Sequence, residues 1–340
     1  MDGARCPAPD PRRLHRPGRA SGPLHRGQRR PQSLGQRGHR RRRGVRGHRG
    51  SPVTRLLFVH AHPDDETLAT GVAILHHVAR GDDVHVLTCT LGEEGEVIPP
   101  ELAHLEGAAG DPLADHRRGE LAGAASILGV THHYLGAGTH GDQPAYRDSG
   151  MVGSAAFEHP RAFAGADFLE VAELMRATIT EIAPEVVVTY DSEGGYGHPD
   201  HIRVHDAVRG ALVEMPSAPT LFVTLTPRTW VVEDRTWLAS HVPGDAGYAV
   251  PSPSDPMAPS VVEDEVVTHA VIDPEVVTRQ EEALRHHATQ VVVGDGWFAL
   301  SNDIASRLAG REGYAVLDPA TGDLVPGEGG RRPGLVEDPR

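Results

Sequence analysis

The chain has 340 residues, a formal net charge of −14 at neutral pH and two cysteines. This length leaves room for one large domain or two small ones, each with a substantial core. All 33 basic residues are arginine, which excludes chemistry that needs a lysine, such as a Schiff base or a P-loop. Cys6 and Cys89 cannot form a disulfide framework, so we expect a reducing, cytoplasmic compartment.

The charge is divided unevenly along the chain. Fifteen arginines and two aspartates give residues 1–50 a charge of +13, which leaves −27 for residues 51–340. A body this acidic would repel a nucleic-acid backbone, so we expect no nucleic-acid partner. No apolar run approaches the roughly 18 residues that span a bilayer, so we expect no membrane partner.

Residues 1–50 combine Arg, Gly, Pro, His and Gln without hydrophobic periodicity. Such a composition cannot bury enough apolar surface to offset its chain entropy, which predicts disorder. A basic nucleic-acid-binding arm and an Arg-rich transit peptide are alternatives. We favour a third, a leader without function ahead of a natural start near Ser51. Residues 51–318 are then predicted to form a single domain, followed by a frayed tail at 319–340.

From residue 53 the hydrophobic pattern alternates between strand and helix periods. In chain order it predicts a strand at 56–60, a helix at 66–80, a strand at 83–90, a helix at 117–128, a strand at 132–135, a helix at 168–182, a strand at 185–190, a helix at 199–213, strands at 219–224 and 229–232, and a helix at 274–288. Five prolines in 241–260 predict a long surface loop. The alternation predicts an α/β, Rossmann-like fold, with a largely parallel sheet, helices on both faces and the site at the carboxyl ends of the strands.

Two runs containing His-Pro-Asp follow predicted strands and begin predicted helices. The first is His60–Glu66 (HAHPDDE) and the second is Gly197–His201 (GHPDH). His62 and Asp65, three residues apart across such a turn, can converge on one ion, and His201 can supply a third ligand. Asp64 then points elsewhere and can accept a proton from water bound to that ion.

The second run offers further polar groups near the same ion. His198 lies three residues before His201, on the same side of the helix, and Asp200 can orient one of the imidazoles from outside the ligand set. Acids and proline at helix starts are also common for capping alone. Because both runs stand at strand-to-helix junctions, we favour a metal site and predict a metallohydrolase. The other histidines, including the pair at 286–287, are interpreted as ordinary surface or core.

With these two motifs, the sequence resembles the LmbE-like (PIG-L) family of zinc-dependent N-acetylglucosamine deacetylases. The family's hallmarks are an AHPDDE box, here at 61–66, and a later HPDH box, here at 198–201. Additional runs resemble the bacterial branch of the family that deacetylates N-acetylglucosaminyl-inositol in mycothiol biosynthesis, at 86–98, 147–151, 186–191, 194–201 and 287–294. The resemblance extends over about residues 54–315.

The resemblance implies a role for each candidate site residue. It implies one Zn²⁺ per chain, or another divalent metal such as Fe²⁺, bound by His62, Asp65 and His201. Catalysis is then assigned to Asp64 as general base, to His198 as the group that stabilises or protonates the tetrahedral intermediate, to Asp200 as the group that tunes His198, and to Tyr196 at the oxyanion. Sugar and inositol hydroxyls are held by Arg117, Asp148 and Glu96. The expected partner is a small-molecule amino-sugar inositol, whose acetamide is hydrolysed to an amine and acetate.

Two alternative enzymes and one binding module compete with this interpretation. A mycothiol S-conjugate amidase of the same family would use the same metal site on a larger substrate. A non-haem iron oxygenase would use His62, Asp64 and His201 as a facial triad, although such triads usually occur in all-β barrels. A non-catalytic sugar-binding module is the third alternative, and it leaves the base and the metal ligands unexplained.

Overall fold

In the computed structural model, which describes residues 53–138, 141–327 and 329–336, an eight-stranded sheet lies between two layers of helices. The strands are β1 (Arg55–His60), β2 (Asp83–Thr88), β3 (Thr131–Tyr134), β4 (Val186–Thr189), β5 (Thr220–Thr224), β6 (Thr226–Pro227), β7 (Val261–Val262), β8 (His269–Ile272), β9 (Val292–Val293), β10 (Trp297–Ala299), β11 (Ala305–Arg307), β12 (Arg311–Leu317) and β13 (Arg332–Pro333). The α-helices are α1 (Asp65–Arg80), α2 (Pro112–Leu128), α3 (Phe168–Ile182), α4 (Gly194–Gly197), α5 (Pro199–Val213), α6 (Arg228–His241) and α7 (Val277–Leu284). Short 3-10 helices occur at Pro100–Leu105, Ala156–Glu158, Asp264–Val266 and Pro274–Val276.

The strand order of the large sheet is β13-β8-β12-β5-β4-β1-β2-β3. The five strands from β3 to β5 are parallel and follow the 3-2-1-4-5 order of Rossmann-like sheets. Strand β12 runs antiparallel to both β5 and β8. The predicted α/β class and largely parallel sheet are therefore confirmed, and an antiparallel extension on one side is added to them.

The central strands are buried because helices cover both faces of the sheet. One core packs side chains of α3 and α5 against the sheet, and the other packs side chains of α1, α2 and α7. Nearly all residues of strands β1 and β4 are buried and most are apolar, as expected for parallel strands covered on both sides. Among the described residues, no helix is both long enough and apolar enough to cross a membrane.

The strand predicted at 229–232 is wrong, because these residues form the start of α6. Their β-branched side chains favour a strand locally, but a carboxylate from elsewhere in the chain caps a helix here. Asp264 accepts hydrogen bonds from the Thr229 amide at 3.1 Å and from its hydroxyl at 2.5 Å. A carboxylate at a helix amino end satisfies free amides and complements the helix dipole.

The tail predicted at 319–340 is also ordered over much of its length. Strand β13 pairs in parallel with β8, and Leu335 is buried in the core below it. Burial of that leucine and pairing with β8 offset part of the entropy lost when the segment is ordered. The expectation of disorder for residues 1–50 concerns residues that lie outside the described part of the chain.

Candidate metal centre and active site

The two His-Pro-Asp runs meet at the carboxyl edge of the parallel strands. Leu57 of β1 pairs with Val187 of β4, so the segments that follow these strands emerge side by side. The first segment leads into α1 and the second, through α4, into α5. The side chains of both runs consequently face one space above the sheet.

Three ligand atoms form a small triangle in this space. His62 Nδ1 lies 3.2 Å from His201 Nε2 and 3.3 Å from Asp65 Oδ2, and the last two atoms are 3.4 Å apart. Ligands at about 2.1 Å from a tetrahedral Zn²⁺ are separated by about 3.4 Å, which follows from the tetrahedral angle. The triangle therefore fits a metal ion of this size, with room for a fourth ligand.

The outer nitrogens of both imidazoles face hydrogen-bond acceptors. His62 Nε2 lies 3.2 Å from Asp200 Oδ2, and His201 Nδ1 lies 3.1 Å from the Gly194 carbonyl oxygen. These acceptors assign the ring protons to the outer nitrogens, which leaves the inner nitrogens free to bind a metal. Metal-binding histidines are usually oriented in this way.

Two other groups of three residues could also hold a metal ion. One is His62, His198 and His201, and the other is His62, Asp148 and Asp200, each with ligand atoms within 4.8 Å of one another. In the first of these groups, His198 Nδ1 already accepts the Asp200 amide hydrogen at 3.2 Å.

Tyr190 supports two of the three triangle residues from behind. Its hydroxyl donates to Asp65 Oδ2 at 2.8 Å and accepts from the Ala61 amide at 2.9 Å. Its ring is stacked on His201, with centroids 4.1 Å apart and an interplanar angle of 13°. Nothing in the sequence indicates this role, because a tyrosine at the end of a buried strand is also an ordinary core residue.

Asp64 faces the cavity with a carboxylate that has no hydrogen-bond partner among the described residues. Its backbone has φ 109°, a conformation that L residues rarely adopt. Burial is the largest influence on its carboxyl, and with the adjacent Asp65 it raises the pKa of Asp64 to about 8. Burial would also raise the pKa of Asp65, but His201 and His62 outweigh it and hold that pKa well below its usual range.

A segment more than 200 residues away holds the turn at Asp64. Glu66 accepts the Asp64 amide hydrogen at 3.0 Å, and His287 contacts the same carboxylate at 2.9 Å. Gln290 donates to the Pro63 carbonyl oxygen at 2.8 Å. His287 is fully buried, as the interpretation of this residue as ordinary core predicts. That interpretation does not include its contact with Glu66 behind the turn.

His198 and Tyr196 line the cavity next to the triangle. Burial, together with His62 and His201, lowers the pKa of His198 to about 4, so its ring is neutral near pH 7. Since Nδ1 accepts the Asp200 amide hydrogen, the ring proton is assigned to Nε2. The Asp200 carboxylate contacts His62, and its backbone amide donates to His198. Its charge also favours the protonated form of His198, so the role of Asp200 in tuning His198 stays a prediction.

The three predicted hydroxyl-binding residues differ in their surroundings. Arg117 is 2% exposed and donates to the Gly92 and Glu96 carbonyl oxygens and to Thr289. Its guanidinium thus holds the loop at 92–96, whereas the Glu96 side chain is exposed at the rim. Asp148 is 5% exposed, and its Oδ1 accepts the Gly150 amide hydrogen at 2.8 Å and lies 3.5 Å from His62 Nε2.

The close contact between Arg117 and the loop predicts that Gly95→Ala is damaging. A Cβ on Gly95 would lie 2.9 Å from Arg117 Cζ and closer still to both terminal nitrogens. We expect a loss of about 1–3 kcal/mol in unfolding free energy and a drop in kcat/KM of about tenfold to a hundredfold. Urea unfolding and initial rates measure the two effects.

Gly119→Ala in α2 is the matched control, because a Cβ there meets nothing within 4 Å. Alanine in a helix interior should stabilise the chain by about 0.5–1 kcal/mol. If the two variants behave alike, the packing described for Arg117 is incorrect.

A cavity of about 610 Å³ contains the triangle, Asp64 and Asp148 and continues along the first turn of α1 towards β10 and β11. Its volume lies within the range of about 300–1,000 Å³ typical of ligand sites. A Rossmann-like α/β fold with two imidazoles and a carboxylate at the strand ends, next to a free carboxylate, defines a metallohydrolase-type site.

Comparison with known proteins agrees with this class. The model of the GlcNAc-PI de-N-acetylase (PIG-L) family matches residues 57–212. The 1D-myo-inositol 2-acetamido-2-deoxy-alpha-D-glucopyranoside deacetylase of Actinosynnema mirum is 44% identical over 81% of this chain and 98% of its own length. The protein of the same name from Rhodococcus jostii is 45% identical, over 79% and 93% respectively. The chain belongs to the PIG-L family, as the resemblance predicted, and is a deacetylase that hydrolyses an acetamide.

Among solved structures, the chain is similar to a deacetylase of the teicoplanin biosynthetic pathway. The identity is 19% and the TM-score 0.46, over 78% of this chain and 99% of that one. That similarity is too distant to bear on substrate or mechanism. Family membership overturns the oxygenase alternative, and the carboxylate in the ligand triangle is that of Asp65 rather than Asp64.

Proposed function

We propose that this chain deacetylates 1D-myo-inositol 2-acetamido-2-deoxy-alpha-D-glucopyranoside, as part of mycothiol biosynthesis. The names of the two relatives support the substrate, since both align with this chain over nearly their whole length. The observation that carries the reaction type is the ligand triangle next to the unpartnered carboxylate of Asp64. Acetamide hydrolysis of this kind needs no serine or cysteine nucleophile.

We propose Zn²⁺ as the metal, held by His62 Nδ1, His201 Nε2 and the carboxylate of Asp65. Two imidazoles, one carboxylate and an open fourth position are typical of catalytic zinc sites. When bound, zinc would polarise the acetamide carbonyl and lower the pKa of water towards about 7. Tyr190 and Asp200 support this set, because each fixes the orientation of a ligand by a hydrogen bond.

The remaining polar residues would then act on the substrate directly. A dication bound at the triangle would favour the ionised form of Asp64. In that form Asp64 takes a proton from the attacking water as general base. His198 donates its Nε2 hydrogen to the oxygen of the tetrahedral intermediate, and the Tyr196 hydroxyl donates to the same oxygen. Asp64 then gives the proton that it took from water to the nitrogen, the C–N bond breaks, and the amine and acetate are released.

We propose that Asp148 accepts hydrogen bonds from sugar hydroxyls beside the metal centre. Arg117 would contribute through the loop that it holds, and Glu96 at the cavity rim. A site whose buried polar groups pair with substrate hydroxyls rejects ligands that lack them. This mechanism predicts discrimination between the full substrate and a bare amino sugar.

An amine-release assay on three compounds tests the proposed function. N-acetylglucosaminyl-inositol should be deacetylated with a kcat/KM at least tenfold above that of free N-acetylglucosamine. A mycothiol S-conjugate should be slower than the first compound. Equal rates on the two sugars would leave only a generic deacetylase, and fastest turnover of the conjugate would identify an amidase.

We also propose that residues 51–318 hold the whole catalytic apparatus. All the candidate site residues fall between His62 and His201. A chain that begins at Ser51 should match the full chain in melting temperature and, within twofold, in kcat/KM. A large loss of activity in the shortened chain would contradict the interpretation of residues 1–50 as a leader.

A further inference from the structure

Part of the cavity is lined by hydroxyl side chains that the protein itself does not use. We call this part the distal wall, and its hydroxyls belong to Thr224, Thr226, Ser260, Ser301 and Ser306. Among the described residues, none of these side-chain oxygens has a hydrogen-bond partner. Four of these residues are half-buried and Ser301 is exposed, so the hydroxyls are open to the cavity and offer donors and acceptors to a ligand.

The distal wall adjoins the metal centre. The Ser260 amide donates to the Gly195 carbonyl oxygen at 3.1 Å, next to Tyr196 in the loop before α5. Leu68 and Ala69, in the first turn of α1 after Asp65, line the cavity between the two parts. A ligand with one end at the triangle can therefore extend along this wall.

The charged side chains of the distal wall all have partners within the protein. Asp234 Oδ1 accepts from Arg307 Nη1 at 3.0 Å and from Arg311 Nη2 at 2.7 Å. Glu312 accepts the amide hydrogens of Val72 and Ala73 and the Tyr314 hydroxyl hydrogen. A charged ligand would lose hydration here without gaining an unpaired counter-charge, which favours a neutral, hydroxyl-rich ligand.

Aromatic side chains complete the wall. Trp230 and Phe298 line the cavity beside the hydroxyl groups. A cyclic polyol presents C–H groups on its faces and hydroxyls at its edge, and it matches a surface that combines rings with hydroxyls. Aromatic side chains supply such apolar contact area together with fixed geometry.

The metal-proximal part of the cavity offers few side chains with free donors or acceptors to a two-ring substrate. Arg117 donates to two loop carbonyl oxygens and to Thr289, and Glu96 is exposed at the rim of the cavity. Asp148 remains as a buried acceptor there. A single amino sugar would also leave much of the 610 Å³ cavity unfilled.

We propose that the distal wall is the binding site for the neutral cyclic polyol joined to the amino sugar. This assignment rests on the proposed function. It makes residues of β5, β6, β11 and the segments around Ser260 and Ser301 responsible for substrate specificity. The amino sugar lies at the triangle and the polyol ring at the wall.

The test replaces Ser306 by Leu, which fills the wall with an apolar side chain. The ratio of kcat/KM for N-acetylglucosaminyl-inositol to that for free N-acetylglucosamine should fall at least tenfold, mainly through KM for the larger compound. Ser301→Leu should act in the same direction if Ser306→Leu fails to fold. Ser240→Leu, at an exposed position on α6 outside the cavity, is the control and should keep the ratio.

A second measurement separates this proposal from the proposed function. Saturation-transfer NMR with myo-inositol should show binding to the parent chain and to Ser240→Leu but none to Ser306→Leu or Ser301→Leu. A parent chain inactive on both sugars would refute the proposed function, and the NMR result alone would then decide on the wall. Equal loss on both sugars, an unchanged ratio, or myo-inositol binding that survives both wall variants would overturn the polyol site.

Discussion

Replacement of Asp64 by Asn is expected to lower kcat by about two to four orders of magnitude while the metal stays bound. Asn keeps the size of the side chain and cannot accept a proton. Because the Asp64 carboxylate has no hydrogen-bond partner among the described residues, the substitution breaks no contact in the fold. Single-turnover rates on N-acetylglucosaminyl-inositol and metal analysis of the purified chain measure the two quantities.

Asp65→Asn is the matched comparison for this experiment. The Asp65 carboxylate lies within 3.4 Å of both imidazole nitrogens of the triangle, so its loss should reduce metal content together with activity. If Asp64→Asn loses the metal and Asp65→Asn keeps it, the ligand assignment is wrong. The His-x-Asp pattern of iron oxygenases would then describe the ligands better.

The distinction between these neighbouring aspartates shows how far local sequence reasoning extends. A strand followed by His-Pro-Asp-Asp fixes a turn in which consecutive side chains point apart, so different roles for Asp64 and Asp65 could be predicted. The positive φ of Asp64 could not, because it depends on the hydrogen bond from its amide to Glu66. That carboxylate is in turn held by His287, 221 residues further along the chain.

The predicted fold is correct where local sequence patterns decide the structure and incorrect where contacts with distant segments decide it. Helix and strand periods identify the parallel strands β1 to β5, because most residues of these strands are buried, apart from the edge strand β3. They misassign Thr229–Val232, where a carboxylate from Asp264 converts a β-branched run into a helix start. They also miss β12, which joins the sheet through pairing with β5, more than 80 residues away.

Arg117 shows which property of a site residue cannot be predicted from the sequence. The family resemblance selects this residue, but its contacts are visible only in the folded structure. Its guanidinium donates to two loop carbonyl oxygens and to Thr289. Thr289 lies in the run 287–294, to which the sequence analysis assigns no function. The cluster of unpartnered hydroxyls on the distal wall has no periodic or spaced signature either, since its members come from three separate regions of the chain, at 224–226, 260 and 301–306.

Replacement of His201 by Ala is expected to abolish tight metal binding and, with it, turnover. The imidazole supplies one corner of the ligand triangle, and the alanine variant leaves two ligands to hold the ion. Affinity measured by competition with a chromophoric chelator should fall by more than the roughly 10–100-fold loss typical of an outer hydrogen-bond partner.

Asp200→Ala, which removes only the acceptor for His62 Nε2, should show that smaller loss. Asp206→Ala, exposed on the same helix, should bind metal like the parent chain. An order in which Asp200→Ala is the more damaging variant would place the ion between His62, Asp148 and Asp200 instead.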